Sequence, residues 1–212
     1  MQRTDWRSHG LLVTHTASEF DKETVHRGQA SDGMVRLHFG LRGDYSVRYP
    51  EIGRSFDLVG GHHNVLFAQP FDLEFVNKTP SLETFGVQFP VEQFIAYTAG
   101  ASDELSQFCD RIAAGKASIL FDDWAPMTPA IEATIRQIRE TEYEGATRDL
   151  FVLSKSIELL VQSIEAHKVP TGDAYLKTAS DRDRVVAARD LVNTRLTNPP
   201  SLSEVAKLVG LN

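Results

Sequence analysis

The feature of this sequence that most constrains its fold is a change of hydrophobic period close to residue 90. Upstream, apolar and polar residues alternate in short stretches separated by glycines and other turn residues, which is typical of β-strands with two different faces. Downstream, apolar residues recur every three or four positions, which is the helical period. The sequence therefore predicts an α+β fold in which a small antiparallel β-barrel or jelly roll precedes a helical segment. The predicted strands are residues 11–16, 34–41, 44–50, 64–70, 72–76 and 83–89.

Alternation also assigns the residues of each predicted strand to two faces. In the stretch 34–41 four apolar side chains share one face, and Arg36 and His38 share the other. Arg48 likewise lies opposite the apolar set of its own strand. Both arginines fit the pattern of exposed charges. The alternative is an arginine directed into a partly polar pocket, where it would bind an anionic effector through bidentate hydrogen bonds.

Aromatic and basic side chains on the predicted strands are the candidates for binding a small molecule. Pockets for such ligands combine apolar walls with a few polar groups that fix the orientation of the ligand. Ordinary packing of the barrel is the alternative role for the aromatic candidates. The candidate ligand-binding residues are Trp6, Arg36, His38, Tyr45, Arg48, Phe67 and Phe75.

Three helices are predicted between residues 100 and 168. The first includes Cys109 on its apolar stripe, where a cysteine acts as a small buried hydrophobe, and Gly115 ends it. The second is capped by Thr128 and has Pro129 as its first residue. The third, from about residue 147 to residue 167, has an apolar stripe wide enough for two copies to pair, although packing on its own barrel is the alternative. The stripe consists of Leu150, Leu153, Ile157, Leu160, Val161 and Ile164.

The C-terminal stretch NPPSLSEVAKLVGLN combines the start and stop signals of a helix. Ser201, followed three residues later by Glu204, forms a capping box, which places the first helical residue at Leu202. Gly210 ends the helix because glycine adopts positive φ without a Cβ clash. Ala206 and Gly210, four residues apart, match the two small positions of a helix-turn-helix, which makes them core residues of a DNA-binding domain.

These last residues, with an amphipathic helix about twenty residues upstream and a barrel before it, resemble the AraC/XylS family of bacterial transcription activators. Residues 148–166 and the stretch FGVQFPVEQF are similar to the siderophore-responsive, pyochelin-regulator-like branch of that family. The resemblance implies a ligand-responsive transcription regulator. Its partners would be a small-molecule effector, a second copy of the chain, and promoter DNA for the full-length regulator.

The same resemblance divides the chain into four parts. Residues 1–90 would be a cupin-like β-barrel that binds the effector, and residues 91–168 a helical segment that dimerises. Residues 169–180 would be a linker, and residues 181–212 would begin the first helix-turn-helix of the DNA-binding domain. The first recognition helix, which reads base edges in the major groove, would follow Asn212. We therefore expect a fragment of a longer regulator that does not by itself read a DNA sequence.

Composition excludes several other classes of protein. The formal net charge of −7 argues against non-specific binding of nucleic acid by the whole chain. The single cysteine excludes an internal disulfide framework and a multi-cysteine zinc site. The apolar runs fall short of the roughly 18 residues that a membrane span needs, and the N-terminus has no apolar signal core, so a cytoplasmic location is expected.

The rival interpretation is a cupin-type metal-dependent enzyme or a small-molecule-binding cupin, because such barrels bind metals through histidines and a carboxylate. His62 and His63 are the candidate ligands, with His38 and Glu74 as helpers. Adjacent residues of a strand face opposite ways, however, so His62 and His63 do not suit one interior site. No motif assembles a nucleophile, a base and an oxyanion site. The regulator interpretation therefore predicts no catalytic residue, no metal and no cofactor.

Overall fold

A computed structural model describes residues 1–30, 33–168, 184–185, 187–189, 191–192, 195 and 199–210. Contacts divide the chain into two units, Met1–Val169 and Pro170–Asn212. In the described part of the chain, every helix is too short or too polar to cross a lipid bilayer.

Two antiparallel sheets make up the β part of the first unit. Among the described residues, the larger sheet has the strand order β1-β2-β9-β4-β7-β10, with β11 also paired to β7, and the smaller has the order β3-β8-β5-β6. The predicted antiparallel jelly roll is therefore confirmed. The strands are β1 (Gln2–Ser8), β2 (Leu11–Glu19), β3 (Val25–Ala30), β4 (Met34–Arg42), β5 (Tyr45–Tyr49), β6 (Arg54–Leu58), β7 (His62–Phe67), β8 (Phe71–Asn77), β9 (Ser81–Pro90), β10 (Ser118–Ile119) and β11 (Ala125–Pro126).

Helices follow the last long strand, and those of the first unit pack on the larger sheet. Ser102 caps the second helix, and Thr128 caps the third with Pro129 as its first residue. The cap at Thr128 is the predicted one, and Gly115 has the expected positive φ of 68° after the second helix. The helices are α1 (Val91–Thr98), α2 (Asp103–Ala113), α3 (Pro129–Arg139), α4 (Gly145–Lys168) and, in the second unit, α5 (Leu202–Val209).

The larger sheet separates two apolar layers. Along β2, β4, β7 and β9 the odd-numbered side chains, such as Leu37 and Val87, pack with the helices in one buried cluster. Leu66, an even-numbered residue of β7, packs with Tyr45 and Phe71 of the smaller sheet in a second cluster. The pleat of a strand directs successive side chains to opposite faces, so each central strand serves both layers.

Helix α4 buries one face and exposes another. Val152, Leu159 and Leu160 are almost fully buried against the rest of the first unit. Leu150 and Val161, on the outer side, are 59% and 54% exposed. The predicted stripe therefore does not lie wholly on one side of the helix. Leu160 belongs to the buried core, Leu153 and Ile164 pack partly against it, and Ile157 is half-buried.

The described residues of the second unit include one complete helix. Ser201 Oγ accepts a hydrogen bond from the backbone N–H of Glu204, and the Glu204 carboxylate accepts one from the backbone N–H of Ser201 at 2.8 Å. The predicted capping box and the start of α5 at Leu202 are confirmed. Gly210 follows the helix with φ of 71°, the left-handed conformation expected of its C-cap. The predicted linker, Leu211 and Asn212 lie outside the described residues.

Candidate functional site

A partly open cavity of about 330 Å³ lies between the two sheets. The larger sheet lines it with even-numbered residues of β2, β4, β7 and β9, together with Phe85 of β9 and Arg3 of β1. Residues of β3, β5 and β8 line it from the smaller sheet. Leu66, Phe71 and Leu73 give it apolar walls, and Arg36, His38 and Gln88 add polar groups. A small concave site with apolar walls and a few convergent polar groups is the usual form of a ligand pocket.

Arg36 brings a permanent positive charge to this cavity. It lies on β4 and is only 9% exposed. Its guanidinium carbon lies 4.2 Å from the centre of the Phe71 ring, and Nη1 donates a hydrogen bond to the Met34 carbonyl at 2.9 Å. A guanidinium held over an aromatic face by a backbone contact keeps a defined orientation.

A chain of hydrogen bonds runs from the cavity into the protein interior. Nε2 of His38 lies 2.7 Å from the Tyr45 hydroxyl, and the same hydroxyl lies 2.9 Å from Nε2 of His62. Nδ1 of His62 forms a further hydrogen bond with the Val59 carbonyl. This chain, the His38–Tyr45–His62 relay, joins β4, β5 and β7.

Burial keeps the relay uncharged at neutral pH. It lowers the pKa of His38 to about 3, with a smaller contribution from His62, and lowers the pKa of His62 to about 4. Burial also raises the pKa of the Tyr45 hydroxyl well above its ordinary value. Both imidazoles are therefore neutral, and each has one N–H donor and one nitrogen acceptor.

A tryptophan from outside the predicted strands covers the relay. The indole of Trp124 packs edge-on against His38 and His62, with ring centres 5.6 Å and 5.1 Å apart. The side chain of Asn64 holds the adjacent backbone by donating to the carbonyls of Phe121, at 2.9 Å, and Asp123, at 3.2 Å. Among the described residues, none forms a hydrogen bond with the buried Nε1 of Trp124.

The structure brings some of the predicted ligand-binding residues together and separates others. Arg36 and His38 line the cavity, and Tyr45 lies directly behind His38. Phe75 lies beside Tyr45, with ring centres 6.2 Å apart. For Arg36, the prediction of an exposed charge is wrong, because the face opposite the apolar set is covered by the second sheet.

Five of the seven predicted ligand-binding residues do not line the cavity. Tyr45 lies behind His38 with Phe75 beside it, and the other three lie elsewhere in the first unit. Phe67 is buried in the cluster beneath the helices, because odd-numbered residues of β7 face that way. Trp6, on the edge strand β1, packs against the same cluster, with its ring centre 6.3 Å from that of Phe85. Arg48 is exposed on the outer face of the smaller sheet. The assignment of these three side chains to a ligand pocket is not supported by their positions.

Of the four residues considered as metal ligands, His38 and His62 lie on either side of the Tyr45 hydroxyl, but His63 and Glu74 lie elsewhere. His62 faces the relay, whereas His63 faces the helices, where its ring centre lies 4.9 Å from that of His167. Glu74 forms an ion pair with Arg27 at 2.9 Å. In the described part of the chain, no three His, Cys, Asp or Glu side chains are grouped so that they could hold a metal ion.

Sequence reasoning missed several side chains of the site. Phe71 and Leu73 lie in or beside a predicted strand, but nothing in their spacing showed that they would face Arg36 across the cavity. Gln29 lies on β3, which was not predicted because its sequence, VHRGQA, has no apolar run. Trp124 lies next to β11, which has only two residues and so no detectable period. A lone tryptophan between two aspartates and a proline was the only signal available.

Comparison with known proteins adds to this geometry. The family model described as "Regulatory protein PchR N-terminal domain" matches residues 1–176. Regulatory protein PchR of Pseudomonas aeruginosa is 36% identical over 90 residues, which are 41% of this chain and 30% of that protein. The match thus spans less than a third of the length of this curated relative.

The solved structures that are similar to this chain include two kinds of protein. The AraC-like transcriptional activator CuxR has a TM-score of 0.49 and 10% identity, over 99% of this chain and 70% of that chain. A cupin superfamily protein from Desulfitobacterium hafniense has a TM-score of 0.30 and 11% identity, over 42% of this chain and 77% of that chain. Because the family model covers residues 1–176 of the 212 residues, this chain belongs to the family of PchR N-terminal domains.

Proposed function

We propose that the first unit is the effector-binding domain of an AraC-type transcription regulator, and that its effector is a small organic anion bound between the two sheets. The observation that carries the proposal is the position of Arg36, a guanidinium that is 9% exposed and lines a cavity of about 330 Å³. The name of the matched family, a regulatory protein, supports the same role.

The cavity suits an anion that also has an apolar part. Arg36 places a guanidinium on the cavity wall, and charge-assisted hydrogen bonds to guanidinium are among the stronger ones. Phe71, Leu66 and Leu73 would contact the apolar part of the ligand. No catalytic turnover is part of the proposal, since the homologues named above are regulators.

Helix α4 is the proposed dimerisation surface. Leu150 and Val161 are more than half exposed, and Leu153, Ile157 and Ile164 beside them are only partly covered by the first unit. Apolar side chains at this spacing form one stripe along a helix. A second copy of the chain could bury that stripe about a twofold axis, which is the commonest symmetry of homo-oligomers.

Effector binding and transcription would be linked through conformational equilibria. An effector that prefers one arrangement of the two sheets and the helices shifts the population towards that arrangement. In a dimer, such a shift changes how two DNA-binding domains are presented to promoter DNA, which is the partner proposed for the whole regulator. The second unit, with Ala206 and Gly210, would begin that DNA-binding domain.

The test of the proposal begins with small molecules retained by the purified 212-residue chain, identified by mass spectrometry after denaturation. Affinity for the identified molecule is then measured for Arg36→Gln and for Arg48→Gln, which removes an exposed arginine from β5. We expect Arg36→Gln to weaken binding by about tenfold or more, the usual value of a hydrogen bond to a charged group. Arg48→Gln should bind like the wild type. Equal affinity of the two variants would refute the role of Arg36.

A further inference from the structure

The His38–Tyr45–His62 relay has a direction that is set at one end by the backbone. The Val59 carbonyl can only accept a hydrogen bond, so Nδ1 of His62 carries the proton and donates it. A neutral imidazole has one N–H, so Nε2 of His62 is left as an acceptor. The lowered pKa of His62, about 4, agrees with a neutral ring.

The next two bonds of the relay follow from this first one. Since Nε2 of His62 accepts, the Tyr45 hydroxyl must donate its only proton to it, across 2.9 Å. The Tyr45 oxygen can then only accept from Nε2 of His38, 2.7 Å away. His38 therefore carries its proton on Nε2.

The direction of the relay determines whether the second ring nitrogen of His38, Nδ1, donates or accepts a hydrogen bond. With the proton on Nε2, Nδ1 of His38 is a hydrogen-bond acceptor. Burial, with a smaller effect of His62, lowers the pKa of His38 to about 3, so the ring remains neutral. His38 lines the cavity, and no described residue forms a hydrogen bond with its Nδ1.

We infer that the effector carries a hydrogen-bond donor, a hydroxyl or an N–H group, that binds Nδ1 of His38. The inference rests on the proposed binding of an anion beside Arg36, and it narrows the chemical class of that anion. Arg36 and His38 are two residues apart on one face of β4, which separates their backbones by about 7 Å. The effector would thus be a small organic acid whose hydroxyl or amino group lies several bonds from its acidic group.

The relay also predicts which molecules the cavity rejects. An ether or ketone oxygen opposite Nδ1 of His38 would place two acceptors against each other, and both would lose hydrogen bonds to water. A site built to bind a hydroxyl therefore discriminates against the analogue that lacks it, by roughly tenfold or more.

The first experiment measures the direction of the relay without any ligand. Two-bond ¹H–¹⁵N spectra of the ¹⁵N-labelled 212-residue chain at pH 7 distinguish protonated from unprotonated imidazole nitrogens. We expect the Nδ1–H form for His62 and the Nε2–H form for His38. Tyr45→Phe should remove the preference at His38, whereas Tyr49→Phe, a cavity tyrosine outside the relay, should keep it. An Nδ1–H form of His38 in the wild type would overturn the inference and leave the binding of an anion untouched.

The second experiment uses three matched probes, titrated to millimolar concentration and followed by the ¹⁵N shift of Nδ1 of His38. The probes are 4-hydroxybenzoate, with both groups; 4-methoxybenzoate, with the acid but no donor; and 4-hydroxybenzamide, with the donor but no charge. We expect 4-hydroxybenzoate to bind roughly tenfold more tightly than either of the others. In Tyr45→Phe the preference for hydroxyl over methoxy should be lost.

The outcomes separate this inference from the proposed function. Equal affinity for 4-hydroxybenzoate and 4-methoxybenzoate would overturn the requirement for a donor but support the anion site. If neither acid bound, the assignment of the cavity to a small organic anion would be wrong, and the inference would be wrong with it. A preference for the hydroxyl acid that depends on Tyr45 supports both.

Discussion

Gly40 and His62 are paired across β4 and β7, and the imidazole occupies the space that a side chain at residue 40 would need. A Cβ at Gly40 would lie 2.2 Å from Cε1 of His62 and 2.4 Å from its Nε2. Real Cβ atoms do not approach other atoms so closely, so the ring would have to leave its position. The relay therefore depends on a residue without a side chain on the neighbouring strand.

Gly40→Ala should destabilise the first unit because it displaces a buried ring that is hydrogen-bonded at both ends. Overpacking of this kind costs about 1–3 kcal/mol, which urea unfolding would measure. Gly86→Ala is the matched control, because the nearest atom to its Cβ would be the Leu37 carbonyl oxygen at 3.7 Å. Equal free energies of unfolding for the two variants would show that the close approach at Gly40 has no energetic consequence.

Individual residues also show how far the sequence predicts the site. Alternation correctly placed Arg36 and His38 on one face of β4, and it correctly placed His62 and His63 on opposite faces of β7. It could not show which layer covers each face, because a period of two has no information on the neighbouring sheet. The sequence pattern around Arg36 is therefore compatible with a solvent-exposed charge. In the structure the smaller sheet covers this face.

Helix α4 is the element in which burial and exposure are most closely interleaved. Leu159 and Leu160 are buried in the core of the first unit, and Val161, the next residue, is 54% exposed. A helix with apolar residues on more than one face still exposes apolar surface after it packs on its own domain. That remaining surface is the basis of the proposed dimer.

Leu150→Glu and Val161→Glu, made singly, should convert a dimer into a folded monomer, because each places a charge in the proposed interface. Leu160→Glu should unfold the first unit instead, since it would bury a carboxylate without a partner. Mass in solution and circular dichroism distinguish the two results. A wild-type chain that is already monomeric at micromolar concentration would rule out the interface.

The elements themselves were predictable to different degrees. Helices α2 to α5 were recognised from their caps or stripes, as at Thr128 and Ser201, because these signals are local. Helix α1 was not predicted as a separate helix, and no side chain caps its first turn. Strands β1 and β6 were missed because they are short or polar edge strands, and their pairing partners rather than their own sequences define them. Edge strands commonly lack the apolar alternation of central strands.

In the first unit, burial lowers the pKa of three imidazoles to about 4 or less. Burial lowers the pKa of His38 to about 3 and that of His62 to about 4. Burial, together with the neighbouring His167 and then His62, lowers the pKa of His63 to about 3. Between pH 6.5 and pH 5 the unfolded chain takes up protons at these rings and the folded chain does not. The free energy of unfolding should therefore fall as the pH falls through this range.

His63→Leu should reduce this pH dependence. His63 is fully buried, and neither ring nitrogen has a hydrogen-bond partner among the described residues. Each such histidine contributes up to about 1.4 kcal/mol per pH unit below its unfolded pKa. Urea unfolding at several pH values from 7 to 5 should show that the free energy of unfolding of His63→Leu depends less steeply on pH. At pH 7 the free energy of unfolding of this variant should be no lower than that of the wild type. Val65→Ala, on the same face, should lose stability equally at every pH. If the unfolding free energy of His63→Leu changed with pH as steeply as that of the wild type, the lowered pKa of His63 would be wrong.

The larger sheet lines the cavity with one face and packs against the helices with the other. Residues 36, 38 and 88 line the cavity, and residues 35, 37 and 87 hold the helices. Apart from Phe85, which lies in both the cavity wall and the helix-side cluster, the two sets of side chains occupy separate positions of the same strands. If the cavity binds the effector as proposed, a few substitutions at even-numbered positions can exchange the preference for one effector for another over evolutionary time. The odd-numbered positions, and with them the response of the helices, can meanwhile be inherited unchanged.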